Sequence, residues 1–342
     1  MSKRTMPEVV TESVREHPAV QAWLQIRSDC GEIGSLELLQ RRRHSTVYRL
    51  NHGKRDGSRV IANSRVIAKR CRIATARIER AIYEDLLPLT GMPALACYGL
   101  QEEPEGQYGW LFLEDAAGAR YSPQLHHDCA LAGCWLAETQ LTAVPHDVKS
   151  CLPDRELDHY LLLLRNCRAM LMRHLNGSSL SAADAEVFRN IAVHLDAIES
   201  LWGELVEICD VMPRTLVHGD FVNKNLRVRD SVNGNVLLVF DWEFAGWGVP
   251  AADLAQLIDR VASPDLNLYC SILKREYSHL HLCDIQAVAS CGNLLRLVDQ
   301  MSWATVGQEF VLPTDLVKAT ALLRSYEPSI LGALSAFQRS WT

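Results

Sequence analysis

The sequence has no uninterrupted apolar stretch of the ~18 residues that a membrane-spanning helix needs, so no membrane partner is expected. Its opening, MSKRTMPEVVTESVREH, lacks the apolar core of a secretory leader, and a cytoplasmic location is expected. The 11 cysteines form no C-x-x-C pair, and none sits at zinc-ligand spacing from a histidine. That pattern excludes a zinc ribbon or a disulfide framework and predicts reduced thiols in the core. No Pro-rich or low-complexity linker divides the chain. The net charge of −6 lacks the basic excess of a general nucleic-acid binder, so no nucleic-acid partner is expected.

What is present points to two lobes. Hydrophobic residues make up 48% of the 342, enough for a sizeable core. Residues 1–113 carry 17 Lys+Arg against 13 Asp+Glu, whereas residues 114–342 carry 18 against 28. The split suits either two lobes facing different ligands or ordinary surface solubility. Periodicity predicts a leading helix over 7–30, then strands at LELL, STVYRL and two RVIA runs. The turn sequence NHGKRDGS predicts a hairpin between Leu50 and Arg59. Helical spacing returns over 73–90, and YGWLFLE reads as a further strand. Beyond it, helices are expected at 124–143, 154–175, 181–209, 251–261, 266–278, 284–306 and 314–338. Residues 214–244 read strand, loop, strand. The expected fold class is α+β. A small β-rich lobe with its leading helix spans 1–113, and a large, mostly helical lobe spans 114–342.

Chemistry concentrates in LVHGDFVNKNLRV. His218-Gly219-Asp220 is followed after four residues by Asn225, the H-x-D-x-x-x-x-N spacing of a kinase catalytic loop. The aspartate accepts a hydrogen bond from an attacking hydroxyl, and the asparagine offers an uncharged oxygen to Mg2+. Sixteen residues beyond Asn225, the apolar run from Leu237 to Phe240 ends on Asp241. A carboxylate at a strand end suits direct Mg2+ coordination. The turn SVNGN between the two segments is expected to bring Asn225 and Asp241 together.

HGDxxxxN followed by a buried strand and DWE resembles the aminoglycoside phosphotransferase and choline kinase group. GMPALACYG before WLFLED, and GVPAADLAQL after DWE, are similar to that group as well. The resemblance spans roughly residues 36–335 and is strongest at 216–256. It implies a protein-kinase-like two-lobed fold and transfer of the γ-phosphate of ATP, with Mg2+, to a small-molecule hydroxyl acceptor. It places Asp220 as the catalytic aspartate and Asn225 and Asp241 on the metal. It puts Lys69 on the nucleotide phosphates and Glu79 as its partner, with Glu84 the alternative. It assigns the backbone of Leu113, Glu114 and Ala116 to adenine, and it makes Asp253 a buttress of the catalytic loop.

Two departures from the protein-kinase pattern narrow the substrate. Gly219 stands where protein kinases carry an arginine before the catalytic aspartate. Only eleven residues separate Asp241 from Asp253, too few for a peptide-docking activation segment. A glycine-rich phosphate loop is also missing. The equivalent stretch is Gln40 to Thr46, so the phosphates are covered by Ser45 and Thr46 with their amides, or by Arg41, Arg42 or Arg43. Otherwise this stretch is a solvated basic turn. Lys224 either steadies the transferring phosphoryl group or points to solvent. For the acceptor, residues 154–160 with Asp299, Glu309, Asp315 and Glu327 suit a polyamine such as an aminoglycoside. Trp247, Trp303 and Tyr326 suit a quaternary ammonium. A sugar or natural-product alcohol fits nearly as well. The alternative class, a nucleotide-binding pseudokinase scaffold, is disfavoured because Lys69, Asp220, Asn225 and Asp241 are all present.

Overall fold

In the computed structural model of the chain, residues 8–10, 13–28, 32–42, 44–52, 65–177, 180–232, 234–256, 258–305 and 313–341 are described. They fall into two compact units. The first comprises Met1–Ala119, Ala143–Cys151 and Arg227–Glu243; the second comprises Arg120–Thr142, Leu152–Leu226 and Phe244–Thr342.

The first unit is built on a six-stranded sheet. Its strands are β1 (Glu8–Val10), β2 (Ile33–Arg41), β3 (Ser45–His52), β4 (Val66–Arg72), β5 (Cys97–Glu102) and β6 (Tyr108–Glu114). The order is β1-β2-β3-β4-β6-β5, with antiparallel pairing throughout. Alternation along the strands separates two faces. Leu36, Tyr48, Leu50, Val66, Ala68, Trp110 and Phe112 share one face and pack with Val20 and Trp23 of helix α1 (Pro18–Ile26). Lys69 and Leu111 are register partners and carry the opposite parity. Directly after β4 comes α2 (Ile73–Ala81), continued by a π-helical turn (Ile82–Leu86) and a 3-10 turn (Leu87–Thr90).

The expected helix over 7–30 is corrected. Its start is strand β1, whose Val9 and Val10 pair with Glu37 and Leu36 of β2. The helix begins only at Pro18, where proline suits the first turn and His17 Nδ1 accepts the Ala19 amide. Strand β5 was not anticipated; it completes the sheet edge beside β6. Residues 53–64, with most of the NHGKRDGS hairpin and the first RVIA run, lie outside the described residues.

The chain continues through a two-residue strand β7 (Ala119–Arg120), then α3 (His126–Leu141) and α4 (His146–Ser150). The second unit is mainly helical. After β8 (Asp154–Arg155) come α5 (Leu157–Gly177), α6 (Ala182–Ser200) and α7 (Trp202–Cys209). Strand β9 (Thr215–Val217) leads into the catalytic-loop sequence. Next in sequence are the hairpin strands β10 (Leu226–Ser231) and β11 (Gly234–Val239), which from Arg227 on belong to the first unit, and then β12 (Gly246–Gly248) of the second unit, between β8 and β9. The helices α8 (Leu266–Leu273), α9 (Leu282–Thr305) and α10 (Pro313–Trp341) close the chain.

Three expected helices are shortened. That over 266–278 ends at Leu273. That over 154–175 opens as a strand and starts at Leu157. That over 251–261 is only a 3-10 turn, Pro250–Leu254. Its backbone serves other partners, because the Gln256 amide donates to Asn293 Oδ1 at 2.8 Å. Helix α9 also lies so close that a Cβ on Gly292 would overlap the Ala251 carbonyl. No helix among the described residues is long and apolar enough to cross a membrane.

Candidate active site

In the first unit, Lys69 on β4 is buried and donates to Glu79 Oε1 of α2 at 2.6 Å. The same ammonium donates to Asp241, which follows β11. Burial works against the lysine's charge, but Asp241 and then Glu79 outweigh it and hold Lys69 well above its ordinary pKa. Burial pushes Glu79 up to about 7, against the pull of Lys69. Glu84, the alternative partner, instead binds Arg80 one turn away at 2.7 Å. Asp241 adopts a left-handed backbone, φ +70°, a strained conformation of the kind that clusters at functional positions.

The β2–β3 turn is the stretch that lacks a glycine-rich motif. The Arg42 amide donates to the Ser45 carbonyl at 2.8 Å, and its guanidinium donates to Glu243 Oε1 at 2.9 Å. Arg41 is exposed at the end of β2, and Arg43 lies outside the described residues. Ser45 is buried and Thr46 half-buried on β3. At the end of β6, the Glu114 and Asp115 amides donate to the Ala96 and Arg65 carbonyls. The Glu114 side chain is tied to Arg229 at 2.5 Å.

The second unit holds Asp220. The loop starts on β9, where Asp253 receives the His218 amide at 2.6 Å and the Gly219 amide at 3.0 Å. This is the buttress the resemblance implied. Burial pushes Asp253 up to about 6, and the two amides oppose that rise. Gly219 has φ +75°, and a Cβ there would overlap the Phe244 carbonyl. Glycine before the aspartate is therefore a local backbone requirement. Asn225 Nδ2 donates to the Asp220 carbonyl at 2.9 Å and to its Oδ2 at 3.0 Å. Lys224 Nζ lies 2.9 Å from the same oxygen. Arg296 of α9 donates to Asp220 Oδ1 at 2.9 Å and to the Gly219 carbonyl. Burial alone would raise the Asp220 carboxyl, but Arg296 and Lys224 hold it below its ordinary value. The site thus contains a fixed, ionised carboxylate.

A sequence profile of the phosphotransferase enzyme family matches residues 35–281, well over half of the chain. The chain belongs to the phosphotransferase enzyme family. No curated protein matches it by sequence. Among solved structures, this phosphotransferase is similar to a spectinomycin phosphotransferase solved with ADP and spectinomycin. The two share 11% identity, cover 90% of this chain and 94% of the other, and give a TM-score of 0.59. It is similar to a Plasmodium vivax ethanolamine kinase at 10% identity, with 93% and 92% covered and a TM-score of 0.59. The GDP complex of aminoglycoside 2'-phosphotransferase-IIIa gives 13% identity, 90% and 97% covered, and a TM-score of 0.59. These likenesses establish the protein-kinase-like fold, and the family establishes a small-molecule phosphotransferase.

Sequence reading missed Arg296. Its one signal was a single charge inside the apolar run LLRLV, in a helix whose neighbours Leu294, Leu295, Leu297 and Val298 are all buried. The acceptor-lining expectations fare unevenly. Asp299 is buried and lies 3.6 Å from Arg296. Glu156 pairs with Arg214 and Glu327 with Asn190. Asp154 and Asp158 are exposed, Glu309 lies outside the described residues, and so does the Asp315 side chain. Trp303 packs on Phe244, ring centroids 4.6 Å apart, and meets the Arg296 guanidinium at 5.1 Å.

Proposed function

We propose that the enzyme transfers the γ-phosphate of ATP to a hydroxyl of a small amine-bearing alcohol, with Asp220 as the catalytic aspartate. The observation that carries this reading is Asp220 itself, a buried carboxylate kept ionised by Arg296 and Lys224 in the HGDxxxxN loop. It accepts the hydrogen bond of the incoming hydroxyl and aligns the oxygen for in-line attack. Lys69, backed by Glu79, serves the nucleotide phosphates. With the Glu114 and Asp115 amides bonded elsewhere, the adenine contact falls to Ala116 and to carbonyls from Leu113 onward. Ser45, Thr46 and Arg42 cover the phosphates.

Asn225 and Asp241 are the proposed ligands of Mg2+. Among the described residues, no group of three or more His, Cys, Asp or Glu side chains could hold a metal ion. An amide oxygen plus one carboxylate suits a cation that takes its remaining ligands from phosphate and water. The Asn225 nitrogen donates to Asp220, so its uncharged oxygen is the atom proposed for the cation. When bound, Mg2+ neutralises charge on the phosphates.

The exposed Asp154 and Asp158 support an amine on the acceptor. Trp303, engaged by Phe244 and Arg296, is a poor wall for a quaternary ammonium, which disfavours choline. A cytoplasmic location fits the ten described cysteines, all of them free. The test is ADP release from Mg·ATP across aminoglycosides, ethanolamine, choline and sugars, with mass detection of the phosphorylated product. Product from an amine-bearing alcohol is expected. ADP release that no acceptor stimulates, with no product by mass, contradicts the reading.

A further inference from the structure

We propose that Arg296 is a positioning residue for phosphoryl transfer, fixing the plane of the Asp220 carboxylate from α9. The inference rests on the reading of Asp220 as the catalytic aspartate.

Arg296 is 1% exposed, on a helix whose flanking positions are almost all apolar and buried. One guanidinium nitrogen donates to Asp220 Oδ1 at 2.9 Å, and the other donates to the Gly219 carbonyl one residue earlier. The fork therefore grips the side chain of the aspartate and the backbone that precedes it. A lysine could not hold both from one planar group. The other carboxylate oxygen, Oδ2, is held by Asn225 at 3.0 Å and Lys224 at 2.9 Å. With both oxygens held, rotation of the carboxylate about its Cβ–Cγ bond is blocked.

The guanidinium is itself oriented. Asp299 and Trp303 lie three and seven residues along the same helix, so they stack on the Arg296 side. Asp299 Oδ2 lies 3.6 Å from one nitrogen, and the Trp303 ring centroid lies 5.1 Å from the guanidinium carbon. The two cations at Asp220 differ in character. The Lys224 side chain is 47% exposed, whereas that of Arg296 is 2% exposed. The buried one has a single geometry and a planar fork, so it sets direction. The exposed one supplies charge from a flexible stem.

A pair that served stability alone would lower Tm when Arg296 is removed but leave the rate of the folded enzyme unchanged. A positioning role makes a different prediction, since misplacing a reacting group by an ångström can cost about a hundredfold in rate. The experiment measures ADP release from Mg·ATP with water as the acceptor, under single turnover, with nucleotide affinity and Tm recorded for each variant. Arg296→Met is expected to lower the rate by about a hundredfold while changing nucleotide affinity less than about twofold. Arg296→Lys, which keeps the charge but not the fork, is expected to lose about tenfold at an unchanged Tm. Adding Arg296→Met to Asp220→Asn should then cost less than about threefold further, because the two groups act as one unit.

Equal losses from Arg296→Met in the parent and Asp220→Asn backgrounds would overturn the proposal. So would a parent-like rate in Arg296→Met. Should Arg296→Met fail to fold, Arg296→Lys decides alone, and a parent-like rate there overturns the proposal. If Asp220→Asn itself releases ADP at the parent rate, the catalytic-loop reading fails, and the fault does not lie with Arg296.

Discussion

The Lys69 ammonium and the Glu79 carboxylate meet at 2.6 Å inside the first unit, both buried. Such a pair is weak evidence for stability, but removing one partner strands the other. Lys69→Met should cost about 3 kcal/mol of unfolding free energy in urea titrations. The double variant Lys69→Met, Glu79→Gln should recover much of that loss, because it removes the stranded charge. Neither should regain nucleotide affinity. A double variant no more stable than Lys69→Met would contradict the pairing.

Gly219→Ala tests the backbone requirement before Asp220. The residue has φ +75°, and its Cβ would overlap the Phe244 carbonyl, so relief requires the loop to move. A loss of about 1–3 kcal/mol is expected, with a larger proportional loss of kcat than of nucleotide affinity. Gly203→Ala serves as the contrast. That position is helical and a Cβ there meets nothing within 4 Å, so the variant should be stabilised by about 0.5–1 kcal/mol.

Asp253 makes stability depend on pH in a defined direction. Burial raises its folded value to about 6 from the ordinary 3.8. The folded protein therefore keeps this proton where the unfolded chain has released it. The contribution is full below about pH 4 and is lost as pH rises to about 6. Relative to Asp253→Asn, whose side chain does not titrate, the parent should lose up to about 3 kcal/mol of stability across that window. Denaturant titrations of both proteins at pH 4, 5, 6 and 7 measure the difference. A constant difference would show that Asp253 titrates alike in both states.

The Asp220–Asn225 contact was legible because the two residues lie five positions apart in one loop. Asp241 follows a strand whose apolar run the sequence shows plainly. Lys69 and Glu79 are ten residues apart, one in the middle of strand β4 and one in the next helix, and the family resemblance was enough to pair them. Arg296 reaches Asp220 across 76 positions, and Arg42 reaches Glu243 across 201. No local pattern encodes either contact. The segment 251–261 misled for the opposite reason. Its composition suits a helix, but the Asn293 side chain and the close backbone of Gly292 hold it otherwise.

The Arg42–Glu243 contact bears on how phosphate is covered without glycine. Arg42 keeps 41% of its side chain exposed, so the guanidinium has donors to offer a triphosphate as well as Glu243. Arg42→Ala should raise the KM for ATP several-fold and leave the acceptor KM unchanged. The effect should shrink as salt rises, as expected for a partly exposed charge. An unchanged ATP KM at low salt would leave Ser45, Thr46 and backbone amides as the phosphate cover.

The most direct measurement is transfer of labelled γ-phosphate from Mg·ATP to an amine-bearing alcohol by the parent and by Asp220→Ala, with ATP affinity measured in parallel. The account predicts labelled acceptor from the parent, about a hundredfold or greater loss of kcat in the variant, and nearly equal ATP affinity in the two. Normal transfer by Asp220→Ala would contradict it.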